Sequence, residues 1–203
     1  MNEAQILLAQ EPIQWSDIPQ IPISNPIRPH DANVEAYGQI CYTEDYLAVH
    51  LHAREKEIRA EERGLLGMPC RDSCLEFFLR PCPKDLRYLN FEFNPNACLY
   101  LGFGSGSHDL CRIVLSESKQ ETLFCPRVRC SEAEWELTFR IPYSFIRQFF
   151  PSFSPESGGT LRANFYKCAE LVETPHFLAW NPILRQGRYL FHTPEEFGML
   201  RFE

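Results

Sequence analysis

The chain has 203 residues, of which 44% are hydrophobic and 13% aromatic, so it can bury a continuous apolar core and is not expected to be disordered. Its formal net charge of -7 argues against nucleic acid as a partner, because nucleic-acid binding relies on clustered lysine and arginine. No apolar run reaches the roughly 18 residues of a membrane span, so no membrane partner is predicted.

The first thirty residues are rich in proline: Pro12, Pro19, Pro22, Pro26 and Pro29. Because proline lacks a backbone N–H, residues 1–30 are predicted to pack on the domain as an extended, coil-like N-terminal extension. The domain itself is assigned to residues 31–203. The first ten residues lack the basic start and the apolar stretch of a secretory signal, which predicts a cytoplasmic protein.

From residue 34 onward, apolar and polar residues alternate with a period of two, which predicts β-strands. The predicted strands cover residues 34–42, 45–52, 74–80, 87–94, 97–103, 110–115, 123–130, 133–141, 160–168, 176–181 and 197–202. Only the charge-rich residues 54–63 and residues 143–150, which follow a proline, are predicted to be helical. Many short strands with almost no helix predict an all-β protein with an antiparallel β-sandwich fold.

Two predicted strands carry short hydrogen-bonding side chains opposite their apolar residues. These side chains are Tyr88, Asn90, Glu92 and Asn94 in the first strand, and Arg162, Asn164 and Tyr166 in the second. Amides, a carboxylate, a guanidinium and phenol rings suit the recognition of hydroxyl groups, so this face is a candidate binding surface. An ordinary, partly covered sheet face is the alternative, and the alternation alone leaves both open.

The three tryptophans stand in different contexts. Trp135 is in phase with apolar neighbours and is predicted to lie in the core, and Trp15 is predicted to plug one end of the sandwich. Trp180 precedes a turn, where an indole at the rim of the sheet is placed to stack on a sugar ring. Burial of Trp180 beneath the C-terminal tail is the competing interpretation.

Glu76 and Glu92 both point to the polar side by strand parity. Paired carboxylates predict, as an alternative function, a glycoside hydrolase. The competing interpretation is that one carboxylate hydrogen-bonds ligand or structure while the other forms an ion pair with a nearby arginine: Arg71, Arg80 or Arg162. We favour this second interpretation and assign no catalytic residues.

A heme or redox module is a further alternative, and its axial ligands would come from the available Met68, Met199, His108 or Lys167. Nine cysteines, an odd number without a repeating spacing, favour free thiols in a reducing compartment. Three of them, Cys70, Cys74 and Cys82, are close together. Their spacing is not that of a C-x2-C pair, and no matching Cys or His pair follows, so the sequence does not favour zinc there.

Several strings of the sequence resemble the family-9 carbohydrate-binding modules and their stand-alone relatives. DSCLEFFL at residues 72–79 and YLNFEFNP at residues 88–95 are similar to the paired signature strands of that family. The strings at residues 162–168, 176–182 and 191–198 are similar to its C-terminal half. Taken in order, these strings span about residues 30–203.

The resemblance implies a jelly-roll-like β-sandwich that binds sugar without catalysis and is linked to glycan breakdown, since such modules are commonly attached to xylanases and related glycoside hydrolases. It also implies calcium as a structural ion. In the family, two tryptophans clamp the sugar, and nearby polar side chains take its hydroxyls.

When the family's motif is carried over to this sequence, Trp180 is one aromatic residue of the clamp. Glu76, Asn164 and Asn181 are then the side chains that hydrogen-bond the hydroxyls of the sugar. Residues 65–70 contain no tryptophan for the other side, so Tyr88 or Tyr166 is the candidate there. The full predicted ligand-binding set is Trp180, Glu76, Asn164, Asn181, Tyr88, Asn90, Glu92, Arg162 and Tyr166.

Overall fold

The fold is described from a computed structural model, which describes residues 1–185, 187 and 190–203. Fourteen strands join into one curled sheet that folds over itself as two layers. The strands are β1 (Glu3–Leu8), β2 (Ile21–Pro22), β3 (Asn25–Pro26), β4 (Val34–Tyr42), β5 (Tyr46–Glu55), β6 (Ser73–Arg80), β7 (Tyr88–Phe93), β8 (Leu99–Gly104), β9 (Cys111–Arg112), β10 (Arg127–Cys130), β11 (Glu134–Pro142), β12 (Thr160–Ala169), β13 (His176–Ala179) and β14 (Gly198–Phe202). The predicted β-sandwich is therefore confirmed.

One layer, the back sheet, has the strand order β10-β11-β5-β4 and adds β2 beside β4. The other layer, the front sheet, has the order β14-β12-β6-β7-β8-β9, with β13 sharing one edge of β12 with β14. Neighbouring strands within each layer run antiparallel, as predicted. The front sheet contains both strands whose polar side chains suggested a binding face.

The N-terminal strand β1 connects the two layers. It pairs in parallel with β14 in the front sheet and with β4 in the back sheet, and its Ile6 is fully buried. The prediction of coil for residues 1–30 is thus wrong for Glu3–Leu8. An isolated six-residue segment shows little alternation, and its pairing is decided by strands far away in sequence.

The described residues contain two helices, α1 (Glu117–Phe124) and α2 (Tyr143–Phe149). The first was not predicted: it includes the start of the strand predicted at 123–130, of which β10 confirms only Arg127–Cys130. Its N-cap is Ser116, whose hydroxyl accepts a hydrogen bond from the Lys119 N–H. The second confirms the helix predicted at 143–150. Both helices are too short to cross a bilayer, and no other helix among the described residues could do so.

Residues 56–63, predicted as part of a helix, have no regular secondary structure. The carboxylate of Asp72 accepts hydrogen bonds from the Glu61 N–H at 2.8 Å and from the Glu62 N–H at 2.7 Å. Because Asp72 satisfies these backbone donors, the charge-rich segment is held as a loop against the end of the front sheet.

The main core lies between the two sheets and is rich in phenylalanine. The sheets approach closely at Gly38 of β4, where a Cβ atom would lie 2.6 Å from the Phe165 ring of β12. Trp135 is buried in this core, as predicted, and its indole N–H donates to Glu55 at 2.9 Å. Lys167 pairs with the same carboxylate at 2.9 Å, so this buried charge is matched by an opposite charge.

Candidate functional site

The outer surface of the front sheet divides into two regions. A second, smaller core lies over one of them and consists of Phe78, Tyr88, Tyr166, Ala179 and Phe197; we term it the covered patch. Residues 190–197, which precede β14 in the chain, cross the sheet and cover this patch. The other region is open and forms a cavity of about 650 Å³, within the range typical of small-ligand sites.

Aromatic rings stand at two sides of the cavity. Phe177 of β13 and Phe191 form one side, with ring centroids 6.2 Å apart, and Tyr100 of β8 forms the other. All three rings are partly exposed. The guanidinium of Arg28 lies 5.2 Å from the Phe177 centroid, and that of Arg112 lies 4.6 Å from the Tyr100 centroid. Both distances are within the range of cation–π contacts, which favour these orientations of the two rings.

The floor of the cavity contains Glu76 and Glu92, which lie directly opposite each other on β6 and β7. Their exposed fractions are only 2% and 6%. Burial raises the pKa of Glu76 to about 8, and burial together with the nearby Glu76 carboxylate raises the pKa of Glu92 well above its usual range. Burial thus favours the protonated carboxyls, which can both donate and accept hydrogen bonds.

Three of the predicted residues lie behind the cavity and support it. Asn90 donates to the Glu92 carboxylate at 2.7 Å. The Tyr88 hydroxyl lies 2.7 Å from Nδ1 of His192, which lines the cavity. Tyr166 stacks on Phe191, with centroids 4.4 Å apart, and its hydroxyl donates to the Phe191 carbonyl. These side chains are buried and fix groups that face the cavity.

Asn164 and Asn181 bind each other instead of facing open space. The Asn181 N–H donates to the Asn164 side-chain oxygen at 2.8 Å, and the Asn164 amide donates back to the Asn181 carbonyl at 3.1 Å. Arg162 lies opposite Arg80 at the far end of β12 and donates to the Glu195 carbonyl at 3.2 Å. None of the three lines the cavity.

Trp180 faces the main core and not the polar face, which corrects its predicted place at the rim. It is 4% exposed and packs edge-on against Phe165, with ring centroids 5.8 Å apart. A Cβ atom on Gly198 would lie 2.6 Å from this indole, so the glycine makes room for it. Side chains alternate between the two faces along β13. Phe177 and Ala179 therefore lie on the face with the cavity, and Trp180 lies on the opposite face, toward the core.

The alternative functions are not favoured by these positions. Glycoside hydrolysis needs one protonated and one ionised carboxyl, whereas burial raises the pKa of both Glu76 and Glu92 and so disfavours the ionised form of each. Of the candidate heme ligands, Lys167 is fully buried and paired with Glu55. Its ammonium is not free to bind a heme iron.

Calcium, which the resemblance implied, does not fit the one group of three or more metal-ligating His, Cys, Asp or Glu side chains found in the described part of the chain. That group is Cys74, Glu76 and Cys168. Calcium takes six to eight oxygen ligands, and two of these three donors are sulfur. This group of donors therefore does not suit calcium.

Sequence reasoning missed the aromatic sides of the cavity and the thiols of its floor. Tyr100 was identifiable, because it is out of phase with Leu99, Leu101 and Phe103 in a predicted strand. Phe177 was identifiable in the same way, because strand alternation places it on the face opposite to that of Trp180. Phe191, His192 and Cys168 had no such signal, since their position depends on how residues 190–197 cross the sheet and on the pairing of β12 with β6.

The sequence model of a family described as Carbohydrate-binding family 9 matches residues 2–202. Among solved structures, a candidate carbohydrate-binding protein from Bacteroides uniformis is 27% identical, with a TM-score of 0.82 and 99% of each chain covered. A family-9 carbohydrate-binding module from Caldicellulosiruptor kristjanssonii in complex with glucose is 12% identical, with a TM-score of 0.65, and 100% of this chain and 96% of that one are covered.

The structure of such a module from the same organism in complex with cellotriose is also 12% identical, with a TM-score of 0.63; the match covers 98% of this chain and 94% of that one. At this identity, the two modules show a common fold. The comparison with curated proteins gave no match.

Proposed function

The chain belongs to carbohydrate-binding family 9, and from that premise we propose that it binds a sugar or short oligosaccharide, without catalysis, in the cavity on the front sheet. The observation that carries this proposal is the arrangement of Tyr100 and Phe177 on two sides of a floor that contains Glu76 and Glu92. Aromatic faces pack on the apolar faces of sugar rings, and the carboxyls hydrogen-bond the hydroxyl groups.

The proposed clamp differs from the one that the resemblance implied. Tyr100 and Phe177 take the place of the two tryptophans, and neither Tyr88 nor Tyr166 is exposed to a ligand. The strand register supports Tyr100 and Phe177 as the two sides of one clamp. Tyr100 is opposite Glu92, Glu92 is opposite Glu76, and Phe177 is opposite Cys168. All of these side chains therefore lie on one face of the front sheet.

Isothermal titration calorimetry against a panel of mono- and oligosaccharides tests the proposal. The panel includes glucose and cellotriose, which are bound in the structures of similar fold. We expect Tyr100→Ala and Phe177→Ala each to weaken binding at least roughly tenfold, because each removes one aromatic surface of the clamp.

The matched control is Tyr37→Ala, since Tyr37 is a partly exposed tyrosine on the back sheet, where its ring stacks on His52. It should bind sugar as the wild type does. Absence of binding to any sugar would contradict the proposed function, and wild-type affinity in both clamp variants would contradict the proposed site.

We further propose that the protein acts in the cytoplasm in connection with glycan breakdown. All nine cysteines are free thiols, and Cys111 and Cys130 are exposed, which suits a reducing compartment. Fractionation of the source cells should recover the protein with cytoplasmic markers, and its recovery outside the cell would contradict this location. A preference for fragments of plant polysaccharides over free hexoses would support the link to glycan breakdown.

A further inference from the structure

Two thiols and a carboxyl group meet at the floor of the cavity. Cys74 and Glu76 are two residues apart on β6, so their side chains lie on the same face, and Cys168 of β12 is directly opposite Cys74. The three side chains are buried, and their ligating atoms lie within 4.8 Å of one another. The three donors thus come from two paired strands, whose backbone fixes their relative positions.

The separations approach those of a tetrahedral metal site. Oε1 of Glu76 lies 3.1 Å from Sγ of Cys168 and 3.7 Å from Sγ of Cys74. Zinc bond lengths of about 2.3 Å to sulfur and about 2.0 Å to oxygen give tetrahedral edges of roughly 3.5 Å between sulfur and oxygen. Small side-chain rotations would therefore bring all three donors to bonding distance of one ion.

A second, independent observation points to a ligand at this place. Oε2 of Glu76 is buried and has no hydrogen-bond partner among the residues that the structure describes. A buried carboxyl oxygen without a partner is costly, and such groups are rare unless a ligand, an ion or water satisfies them. A cation beside Oε1 would offset this cost by direct attraction to the carboxylate.

We propose that Cys74, Cys168 and Glu76 bind a thiophilic divalent cation, Zn²⁺, with the fourth coordination position facing the cavity. Thiolates select soft or borderline metals such as zinc over calcium and magnesium, which prefer oxygen. Glu76 and Cys168 line the cavity, so the open position is accessible from it. A water molecule from the cavity would complete the shell.

Binding would release protons, because zinc binds thiolates and a carboxylate. The two S–H protons and the proton of a neutral Glu76 carboxyl go to solvent, and three negative donors with Zn²⁺ leave a net charge of -1. The affinity should therefore fall steeply as the pH falls.

The test is zinc binding by the full chain, fully reduced by a phosphine, in competition with a chromogenic chelator. We expect one equivalent of Zn²⁺ and, with Co²⁺ as a probe, a thiolate-to-cobalt charge-transfer band. Cys74→Ser and Cys168→Ser should each weaken zinc binding roughly a hundredfold and reduce the intensity of that band, because each removes one of its two thiolates. Glu76→Gln, which nearly preserves the shape of the side chain, should weaken zinc binding while the circular dichroism spectrum stays that of the wild type.

The controls are Cys41→Ser, a buried cysteine of the back sheet, and Cys111→Ser, an exposed one. Both should bind one equivalent of zinc. Wild-type protein that binds no zinc would overturn the proposal, as would a cobalt band of undiminished intensity in both site variants or an equal reduction in Cys41→Ser. Zinc binding does not depend on the sugar clamp, so Tyr100→Ala should keep it, and the two proposals can fail separately.

Discussion

The covered patch and the cavity occupy the same face of the same sheet, yet the polar side chains in them do different work. On the covered side, the hydroxyls of Tyr88 and Tyr166 are bonded to residues 190–197 and are sealed from water. On the open side, Glu76 and Glu92 lie under an accessible space. Strand alternation thus identifies a face of the sheet, whereas a segment distant in sequence decides which part of that face is accessible to a ligand.

The two regions are also coupled. The ring of Phe191 lines the cavity and stacks on Tyr166 beneath it, and His192 joins the cavity to Tyr88 in the same way. The covered patch thus anchors one side of the cavity. Substitutions in the covered patch and in the cavity should therefore have different effects on the stability of the protein.

The largest expected effect is on stability. Phe78 is fully buried in the covered patch and packs against Tyr88 at 5.6 Å and Tyr166 at 5.0 Å, measured between ring centroids. Phe78→Ala should lower the free energy of unfolding by about 3–5 kcal/mol, because it leaves a cavity in a packed core. Phe177→Ala, which truncates a partly exposed ring in the open region, should lower it by only about 1 kcal/mol.

Urea unfolding followed by tryptophan fluorescence measures both values. The dependence of the free energy on urea concentration should stay the same in the two variants, which shows that the same surface is exposed on unfolding. If Phe177→Ala destabilised the protein as much as Phe78→Ala, the division into a covered and an open region would be wrong.

His192, at the boundary of the two regions, should give the protein an acid-sensitive stability. Burial lowers the pKa of His192 to about 4, from 6.5 for an exposed histidine. Between pH 6.5 and 4 the unfolded chain therefore binds more protons than the folded one, so His192 destabilises the fold as the pH falls through this window. At pH 5 the effect should be roughly 1 to 2 kcal/mol.

The measurement compares urea unfolding of the wild type and His192→Gln at pH 7 and pH 5. The wild type should lose more stability than the variant on acidification. Tyr88→Phe serves as the control, since it removes the partner hydroxyl but keeps the histidine. An equal loss in the wild type and His192→Gln would show that the imidazole is solvated and that the covered patch ends before it.

The smallest effect concerns single hydroxyl groups. Tyr88→Phe removes a buried hydrogen bond to His192 and should lower the free energy of unfolding by about 1 kcal/mol. Tyr100→Phe removes a hydroxyl from a partly exposed ring and should change it by less than about 0.5 kcal/mol. Thermal unfolding resolves the difference, and a reversed order would place Tyr88, not Tyr100, in the open region.

Most strands could be predicted because alternation is a local property. The predicted strand 133–141 corresponds to β11, and the strand 160–168 corresponds to β12. The helix predicted at residues 54–63 was wrong, because backbone hydrogen bonds to Asp72 outweigh the helix-like composition of this segment. No local sequence pattern reveals that contact. Among the predicted site residues, Glu76 and Glu92 line the cavity, whereas Trp180 lies in the core.

The β-sandwich, the family and the sheet face with the candidate site could all be predicted from the sequence, because strand alternation and family-specific strings are local features of the chain. Which side chains on that face are accessible to a ligand depends on the tertiary structure. It also brought Tyr100, Phe177 and Cys168 to one cavity and turned Trp180 inward. The physical reason is that burial of this face depends on strand pairing and on the path of residues 190–197, both of which join segments far apart in the chain.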